Sequence, residues 1–148
     1  MNKAFVKEPD PSHALCPACQ SQGLTVGPVT LAEHCSEALR RKISELAFFC
    51  ASPSCPVVYY DAFERTITCA EFGKPVYPKD HRAPLCPCFG LTCDDVEADL
   101  DEGAPTRVRA LLQKARSSEA RCQSLSPSGQ SCIAEVQKYY LREMNRRR

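Results

Sequence analysis

The sequence has 148 residues, enough for one ordinary domain or two small ones, and a chain of this length can bury about 68–70% of its unfolded surface. Lysine and arginine number 19 against 18 for aspartate and glutamate, so the formal net charge is only +1, and we expect neither nucleic acid nor an anionic membrane as a partner. Hydrophobic residues make up 43% of the chain, and no run approaches the roughly 20 apolar residues of a membrane span, which predicts a soluble protein.

The N-terminal segment, residues 1–13, is predicted to be a flexible lead-in. It is polar, contains acids and prolines, and lacks the apolar core of about 7–15 residues that marks a secretory signal peptide. The chain carries 11 cysteines, and cysteine at this density forms either disulfides in an oxidising compartment or metal ligands in a reducing one. Because no signal peptide is present, we expect a cytoplasmic protein with reduced thiols.

Residues 14–80 are predicted to form a β-rich module. Short runs of β-branched and aromatic residues adjoin two cysteine turns, Cys16-x-x-Cys19 and Cys50-x4-Cys55. This pattern is typical of a small antiparallel sheet with metal-binding turns at one end. The strands are expected over residues 24–26, 57–60 and 65–68.

One helix is also expected in this module, over residues 31–45. Thr30 and Glu33 have the spacing of a capping box, in which each side chain satisfies a backbone N–H at the helix start. A rough apolar stripe supports the same helix and consists of Leu31, Leu39, Ile43 and Leu46.

The four cysteines of the two turns, Cys16, Cys19, Cys50 and Cys55, are predicted to bind zinc. A tetrahedral zinc site needs four soft ligands, and paired Cys-x2–4-Cys turns each supply two of them. A module of about 60 residues is marginally stable alone, so a structural metal would hold it together. The alternative interpretation of the first turn is a Cys-Pro-x-Cys thiol-disulfide active site, in which a long helix follows the cysteine pair. Here a glycine and a predicted strand follow, and this favours zinc.

Residues 81–148 are predicted to form a mostly helical module, reached through a proline-rich segment over residues 73–85. Thr92 and Asp95 have capping-box spacing, and Gly103 can end the helix that they begin. Further helices are expected after residue 106 and from about 133 towards 145. The fold class is therefore predicted to be α+β, with a small zinc-bound antiparallel β module followed by a mostly helical module.

The cysteines of the second module form another group of four, Cys86, Cys88, Cys122 and Cys132. Four thiolates on irregular loops beside helices are a ligand set for a [2Fe–2S] cluster, in which each iron takes two sulfurs. Gly90 and Gly129 would let backbone N–H groups approach those sulfurs. The spacing alone leaves a second zinc site equally open.

Three stretches of the sequence together resemble a known family: FCASPSCPVVYYDAF, LCPCFGLTCDDV and SPSGQSCIAEV. They are similar to the N-terminal domain of CopZ-type copper chaperones, which carries one zinc and one [2Fe–2S] cluster, and more distantly to bacterioferritin-associated ferredoxins. The resemblance spans roughly Cys16 to Val136. It implies zinc on Cys16, Cys19, Cys50 and Cys55, and the cluster on Cys86, Cys88, Cys122 and Cys132.

The sequence departs from the family in two respects. The family often has further cysteines around the Asn-Pro-Ser-Gly loop, whereas Ser131 stands in one such place here, so a cluster must use Cys122 and Cys132. Full-length members of the family append a second domain that carries a copper-binding Cys-x-x-Cys, and this sequence reaches Arg148 without such a domain. The resemblance therefore implies electron transfer, with reduction of a metal ion before hand-over, in place of copper delivery by this chain. The partner would be an unknown redox partner or a metal-transport or copper-binding protein.

Two other functions stay open at this point: a two-zinc adaptor or transcription-associated zinc protein without redox chemistry, and an iron or redox sensor. No nucleophile, base and orienting group stand out, and no phosphate-binding glycine motif is present. We do not expect a conventional enzyme, although metal-ion reductase activity stays open.

The remaining reactive and charged residues have ordinary structural readings. The three other cysteines are expected to pack in the core, the three histidines to be solvated or packed, residues 94–102 to form a solvated acidic face, and the terminal arginines to fray. These residues are Cys35, Cys69, Cys93, His13, His34, His81, Arg146, Arg147 and Arg148.

Overall fold

The computed structural model describes residues 14–117 and 121–147, and the side chains of Cys122 and Gln123 lie outside the described part. The predicted lead-in over residues 1–13 also lies outside these ranges. Within them, no helix combines the length and the apolar character needed to cross a bilayer.

In the described part of the chain, four short strands form one antiparallel sheet with the strand order β1-β2-β3-β4. The strands are β1 (Leu24–Val26), β2 (Ala47–Phe49), β3 (Val57–Tyr60) and β4 (Thr66–Thr68). Each strand is rich in β-branched or aromatic residues, which pack well on a pleated surface. All residues of β2 and β3 are buried, so these strands form the centre of the fold. The prediction of an antiparallel sheet followed by helices, and hence of an α+β protein, is confirmed.

The prediction of one helix over residues 31–45 is wrong. The structure has two shorter helices there, α1 (Pro28–His34) and α2 (Glu37–Arg40). The first helix begins at Pro28, because proline fits the first helical turn, where its missing N–H costs nothing. The helical stretch is interrupted because Ser36 is the N-cap of a separate second helix: its hydroxyl accepts a hydrogen bond from Leu39 N.

The helices after β4 are α3 (Cys69–Phe72), α4 (Cys93–Glu102), α5 (Thr106–Ala115), α6 (Cys122–Leu125) and α7 (Ile133–Arg146). The capping box predicted for α4 is present, since Asp95 N donates to the Thr92 hydroxyl and Thr92 N donates to the Asp95 carboxylate. Gly103 ends this helix at φ 79°, a left-handed conformation that favours glycine. The four-residue helices α3 and α6 were not predicted.

The buried side chains of the described residues form three clusters. The largest packs under the sheet and against α1 and consists of Val26, Leu31, Cys35, Ile43, Ala47, Phe49, Val58, Tyr59, Ile67, Phe72 and Val76. A second cluster lies among α4, α5 and α7 and includes Leu85, Cys86, Leu91, Cys93, Val96, Val108, Leu111, Cys132, Val136 and Tyr139. The third surrounds the cysteine turns beside the sheet and consists of Cys16, Phe48, Cys50, Cys55, Val57 and Tyr60. Of the predicted apolar stripe, Leu46 is exposed instead of packed.

Candidate metal centres

The first group of cysteines is delivered by two turns at one end of the sheet. The turn that follows Cys16 is closed by two backbone hydrogen bonds, from Gln20 N to the Cys16 carbonyl at 2.8 Å and from Cys16 N to the Ser21 carbonyl at 2.9 Å. Cys50 and Cys55 bound the loop between β2 and β3, where Cys50 N donates to the Val58 carbonyl at 2.9 Å. Each pair is therefore held by hydrogen bonds of the backbone that carries it.

The four sulfur atoms of this group, from Cys16, Cys19, Cys50 and Cys55, lie within 4.8 Å of one another. Cys16 Sγ is 3.8 Å from Cys55 Sγ, and Cys19 Sγ is 3.6 Å from Cys50 Sγ. Four sulfurs placed tetrahedrally about 2.3 Å from a zinc ion would be about 3.8 Å apart. The observed spacing and the all-thiolate donor set therefore fit a tetrahedral Zn²⁺ site.

The environment of the four thiols differs from one to the next. Burial raises the pKa of Cys16, and burial raises the pKa of Cys50 to about 12. A hydrogen bond from the Ser21 side chain lowers the pKa of the half-exposed Cys19 to about 6. Cys19 is also the half-exposed member of the group, since Cys16, Cys50 and Cys55 are buried.

A lysine that the sequence analysis did not single out lies beside this site. Lys79 Nζ donates to the Ser52 carbonyl at 2.8 Å and to the Cys55 carbonyl at 2.9 Å. Its ammonium group thereby holds the Cys50–Cys55 loop and brings positive charge to a group of four thiols. Sequence spacing carries no signal for this residue, because Lys79 lies 24 residues beyond Cys55 in the proline-rich segment.

The second group of cysteines is partly brought together. Cys86 and Cys132 are buried in the helical core, and Cys88 is half-buried. Hydrogen bonds from the side chains of Cys132 and then Cys88 help lower the pKa of Cys86 to about 6. Cys122 begins α6, and its side chain lies outside the described part. Three of the four predicted ligands therefore converge around Cys86.

Two turns shape the backbone around this second group. Gly90 N donates to the Cys86 carbonyl at 2.7 Å, and Gly129 N donates to the Ser126 carbonyl at 2.9 Å. Both glycines have φ values in the left-handed region, at 75° and 71°. The two positions that the sequence analysis singled out are thus tight turns next to predicted ligands.

The second group is less compact than the first. Among the side chains that the structure describes, Cys16, Cys19, Cys50 and Cys55 form the group whose ligand atoms all lie within 4.8 Å, and Cys86, Cys88 and Cys132 do not form such a group. A single zinc ion requires sulfurs at the edges of one tetrahedron, whereas a [2Fe–2S] cluster distributes its four thiolates over two irons. The described thiols of the second group thus surround Cys86 without all meeting the 4.8 Å spacing of the first group.

The cysteines outside both groups are packed, as predicted. Cys35 is buried under the sheet and Cys69 is half-buried against the same core. Cys93 is 3% exposed, and its sulfur lies 3.9 Å from Nδ1 of the exposed His81. His34 is half-buried, with Nδ1 3.4 Å from Lys74 Nζ. His13 lies outside the described residues.

Two expectations for charged residues need correction. The acidic segment over residues 94–102 is not wholly solvated, because Asp99 is completely buried and accepts hydrogen bonds from Val108 N and Arg107 N. The end of the chain is not frayed at Arg146 and Arg147. They pair with Glu143 and Asp101 respectively, so α7 is tied through its last turn. Arg148 lies outside the described residues.

Comparison with known proteins adds a family match and a fold. Residues 13–76 match the model of the CopZ-type family described as a zinc binding domain. The chain is 30% identical over 122 residues to the copper chaperone CopZ of Archaeoglobus fulgidus, and the alignment covers 79% of this chain and 57% of the relative. The chain thus spans a little over half the length of that curated protein.

A solved structure shares the fold. The X-ray structure of the Archaeoglobus fulgidus CopZ N-terminal domain superposes with a TM-score of 0.71 at 24% identity, and the match covers 84% of this chain and 96% of that chain. The N-terminal part of the chain therefore matches a zinc-binding domain of the CopZ type, as the resemblance predicted, and the four-cysteine group supports Zn²⁺ as its ion.

Proposed function

We propose that this protein binds one structural zinc ion and one [2Fe–2S] cluster and carries single electrons in the handling of copper or another metal ion. The zinc ligands are Cys16, Cys19, Cys50 and Cys55, and the cluster ligands are Cys86, Cys88, Cys122 and Cys132. The observation that carries the proposal is the contrast between the two thiol groups. In one, four sulfurs lie within 4.8 Å of one another, as a single tetrahedral ion requires, and in the other the side chains of Cys88 and Cys132 hydrogen-bond to Cys86.

The two centres have different tasks in this proposal. A closed four-thiolate zinc site keeps no open position for a substrate, so its contribution is to the stability of the sheet. A [2Fe–2S] cluster, when bound, supplies a one-electron redox couple. The chain's own residues provide the thiols, the turns at Gly90 and Gly129 and the apolar surroundings of Phe89, all of which influence the reduction potential.

The link to copper rests on the relative. The Archaeoglobus fulgidus protein is named a copper chaperone, and its similarity supports a metal-transport or copper-binding protein as the partner of this chain. We place the reaction in a reducing compartment such as the cytoplasm, where the thiols stay available as ligands. Reduction of a metal ion before its transfer to that partner would consume the electron. Among the ten cysteines with described side chains, none forms a disulfide with another, which agrees with this assignment.

Elemental analysis of protein purified without oxygen tests the proposal. We expect about two irons and two sulfides per chain beside one zinc, and a red-brown colour. Two zincs without visible absorbance would instead indicate the adaptor function. Repeated reduction and reoxidation separates a carrier from a sensor, because a cluster that disassembles in every cycle is incompatible with a carrier.

Substitution of one predicted ligand tests the assignment of the two sites. Cys132→Ser is expected to abolish the visible absorbance and the bound iron while zinc stays near one per chain, because Cys132 is buried in the helical core and outside the zinc group. Cys69→Ser, in a half-buried cysteine outside both groups, is the control and should retain both metals. Loss of iron and zinc together from Cys132→Ser would contradict the division into two sites.

A further inference from the structure

Two consecutive tyrosines of β3 point to different parts of the molecule. Tyr59 and Tyr60 are both completely buried, and because side chains alternate along a strand they leave its opposite faces. The Tyr60 hydroxyl donates to the Ala14 carbonyl at 2.8 Å and accepts from Gly23 N at 2.8 Å. Its ring stacks on Phe48 with centroids 5.3 Å apart, within the core that surrounds the zinc ligands.

Tyr59 reaches in the other direction, to the loop between Cys122 and Cys132. Its hydroxyl donates to the Pro127 carbonyl at 2.5 Å, a contact between residues 68 positions apart. Edge contacts with Phe49 and Phe72, each with centroids 5.9 Å apart, hold the ring in place. Burial raises the pKa of Tyr59, so the hydroxyl keeps the proton that it donates.

The loop that receives this hydrogen bond also has short-range hydrogen bonds of its own. Pro127 stands five residues after Cys122 and five residues before Cys132. Inside the loop, Gly129 N donates to the Ser126 carbonyl, and the Ser126 and Ser128 hydroxyls lie 3.1 Å apart. These local bonds shape a turn, but a turn held only by its own atoms can still move as a unit. The Tyr59 hydroxyl ties it to the sheet.

A second contact connects the same two regions. Helix α1, which directly follows β1, lies against α6, the short helix that Cys122 begins. The sheet and its first helix thus contact this part of the chain at Pro127 and at α6, which precedes Pro127. The segment that carries two predicted cluster ligands is positioned from the zinc-bound half of the molecule.

We propose that Tyr59 is a positioning residue for the cluster: its hydroxyl fixes the loop at Pro127 and so sets the approach of Cys122 and Cys132 to the bound group. This inference rests on the proposed function. It adds that the zinc-bound sheet is the support for the redox site, with β3 as the shared strand. Tyr59 contacts the loop that carries the cluster ligands, and Tyr60 packs in the core that surrounds the zinc ligands.

Tyr59→Phe and Tyr60→Phe form a matched pair that tests the inference. Each removes one buried hydroxyl from the same strand and leaves the ring in place. In Tyr59→Phe we expect cluster loss under an iron chelator to be roughly two- to tenfold faster, because one hydrogen bond is lost. Its midpoint potential and electron paramagnetic resonance spectrum should shift while zinc stays at one per chain. In Tyr60→Phe the zinc should transfer faster to a chromophoric chelator, and the potential should stay as in the wild type.

The outcomes separate this inference from the function on which it rests. A wild-type chain without iron overturns both the proposed function and the role of Tyr59. A wild-type chain with a cluster, together with an unchanged potential and cluster lifetime in Tyr59→Phe, overturns the role of Tyr59 alone. If Tyr59→Phe loses zinc as readily as it loses iron, the hydroxyl serves the stability of the whole sheet, and the positioning role is wrong.

Discussion

Two buried carboxylates show how single residues organise the loops of this protein. Asp61 is 1% exposed and accepts hydrogen bonds from Ser44 N, Phe63 N and Arg65 N, as well as from the Arg65 guanidinium. Asp99 likewise accepts hydrogen bonds from Arg107 N, Val108 N and the Arg107 guanidinium at the start of α5. Buried charges are tolerated where donors surround them, and here the donors are mostly backbone N–H groups of turns that would otherwise be unpaired.

Replacing the first of these carboxylates tests its contribution to stability. Asp61→Asn keeps the size of the side chain but turns an amide NH₂ towards backbone donors and leaves the Arg65 guanidinium without its anion. We expect the free energy of unfolding of the zinc-loaded protein to fall by about 2–3 kcal/mol, as measured by urea denaturation. Glu37→Gln is the control, because Glu37 pairs with Arg41 while 81% exposed, and its loss should cost less than about 0.5 kcal/mol. Equal effects of the two substitutions would contradict the role assigned to Asp61.

The second carboxylate predicts a pH dependence. Burial alone would raise the pKa of Asp99, but hydrogen bonds from Val108 N and the Arg107 side chain outweigh it and lower the pKa below its usual value. A lowered pKa means that the stabilisation is fully present above the unfolded value of about 3.9 and is lost as the pH falls through the folded value. The Asp99 carboxyl carbon, assigned in nuclear magnetic resonance spectra by its absence from Asp99→Asn, should therefore keep a constant shift from pH 7 down to about 4.5. A titration step inside this window would show that burial dominates.

At the level of elements, local capping signals decided which helices could be predicted. Thr92 and Asp95 predict the start of α4 because both partners of its capping box can be recognised in the sequence. Thr68 and Glu71 form an equally complete box before α3, but that helix has only four residues and no apolar periodicity to reveal it. The predicted start of helix α1, at residue 31, is wrong because Gly27-Pro28 is typical of the end of a strand as well as of the start of a helix.

The Cys50–Cys55 loop carries a prediction at this scale. Lys79 holds the loop through two carbonyls, and its charge offsets part of the negative charge that four thiolates around a divalent ion would create. Lys79→Met is expected to speed zinc transfer to a chromophoric chelator about tenfold. Lys74→Met is the control in the same proline-rich segment, since Lys74 Nζ lies over the Phe72 ring at 5.1 Å. If both variants transfer zinc at the same rate, Lys79 has no specific effect on the site.

At the level of the whole molecule, the sequence predicted which four cysteines of the N-terminal part lie together, but not the contacts that join the sheet to the helical part. Cysteine spacing separated Cys16, Cys19, Cys50 and Cys55 from the later group, because paired turns deliver two ligands each and leave a recognisable pattern. The hydrogen bond from Tyr59 to Pro127 has no such pattern. It joins two halves of the chain through one hydroxyl, and its position follows only from how the sheet and helices pack.

With both proposed metal centres loaded, that packing predicts that they depend on each other unequally. The zinc ligands belong to their own core, so removal of iron should leave the zinc content unchanged. Removal of zinc should loosen the marginal sheet that supports the loop at Pro127, and iron should then be lost several-fold faster. Cys19→Ser provides zinc-depleted protein without a chelator, because Cys19 is the half-exposed zinc ligand, and iron release is followed by visible absorbance under argon. Unchanged iron release from zinc-free Cys19→Ser would mean that the helical half holds its ligands without help from the sheet.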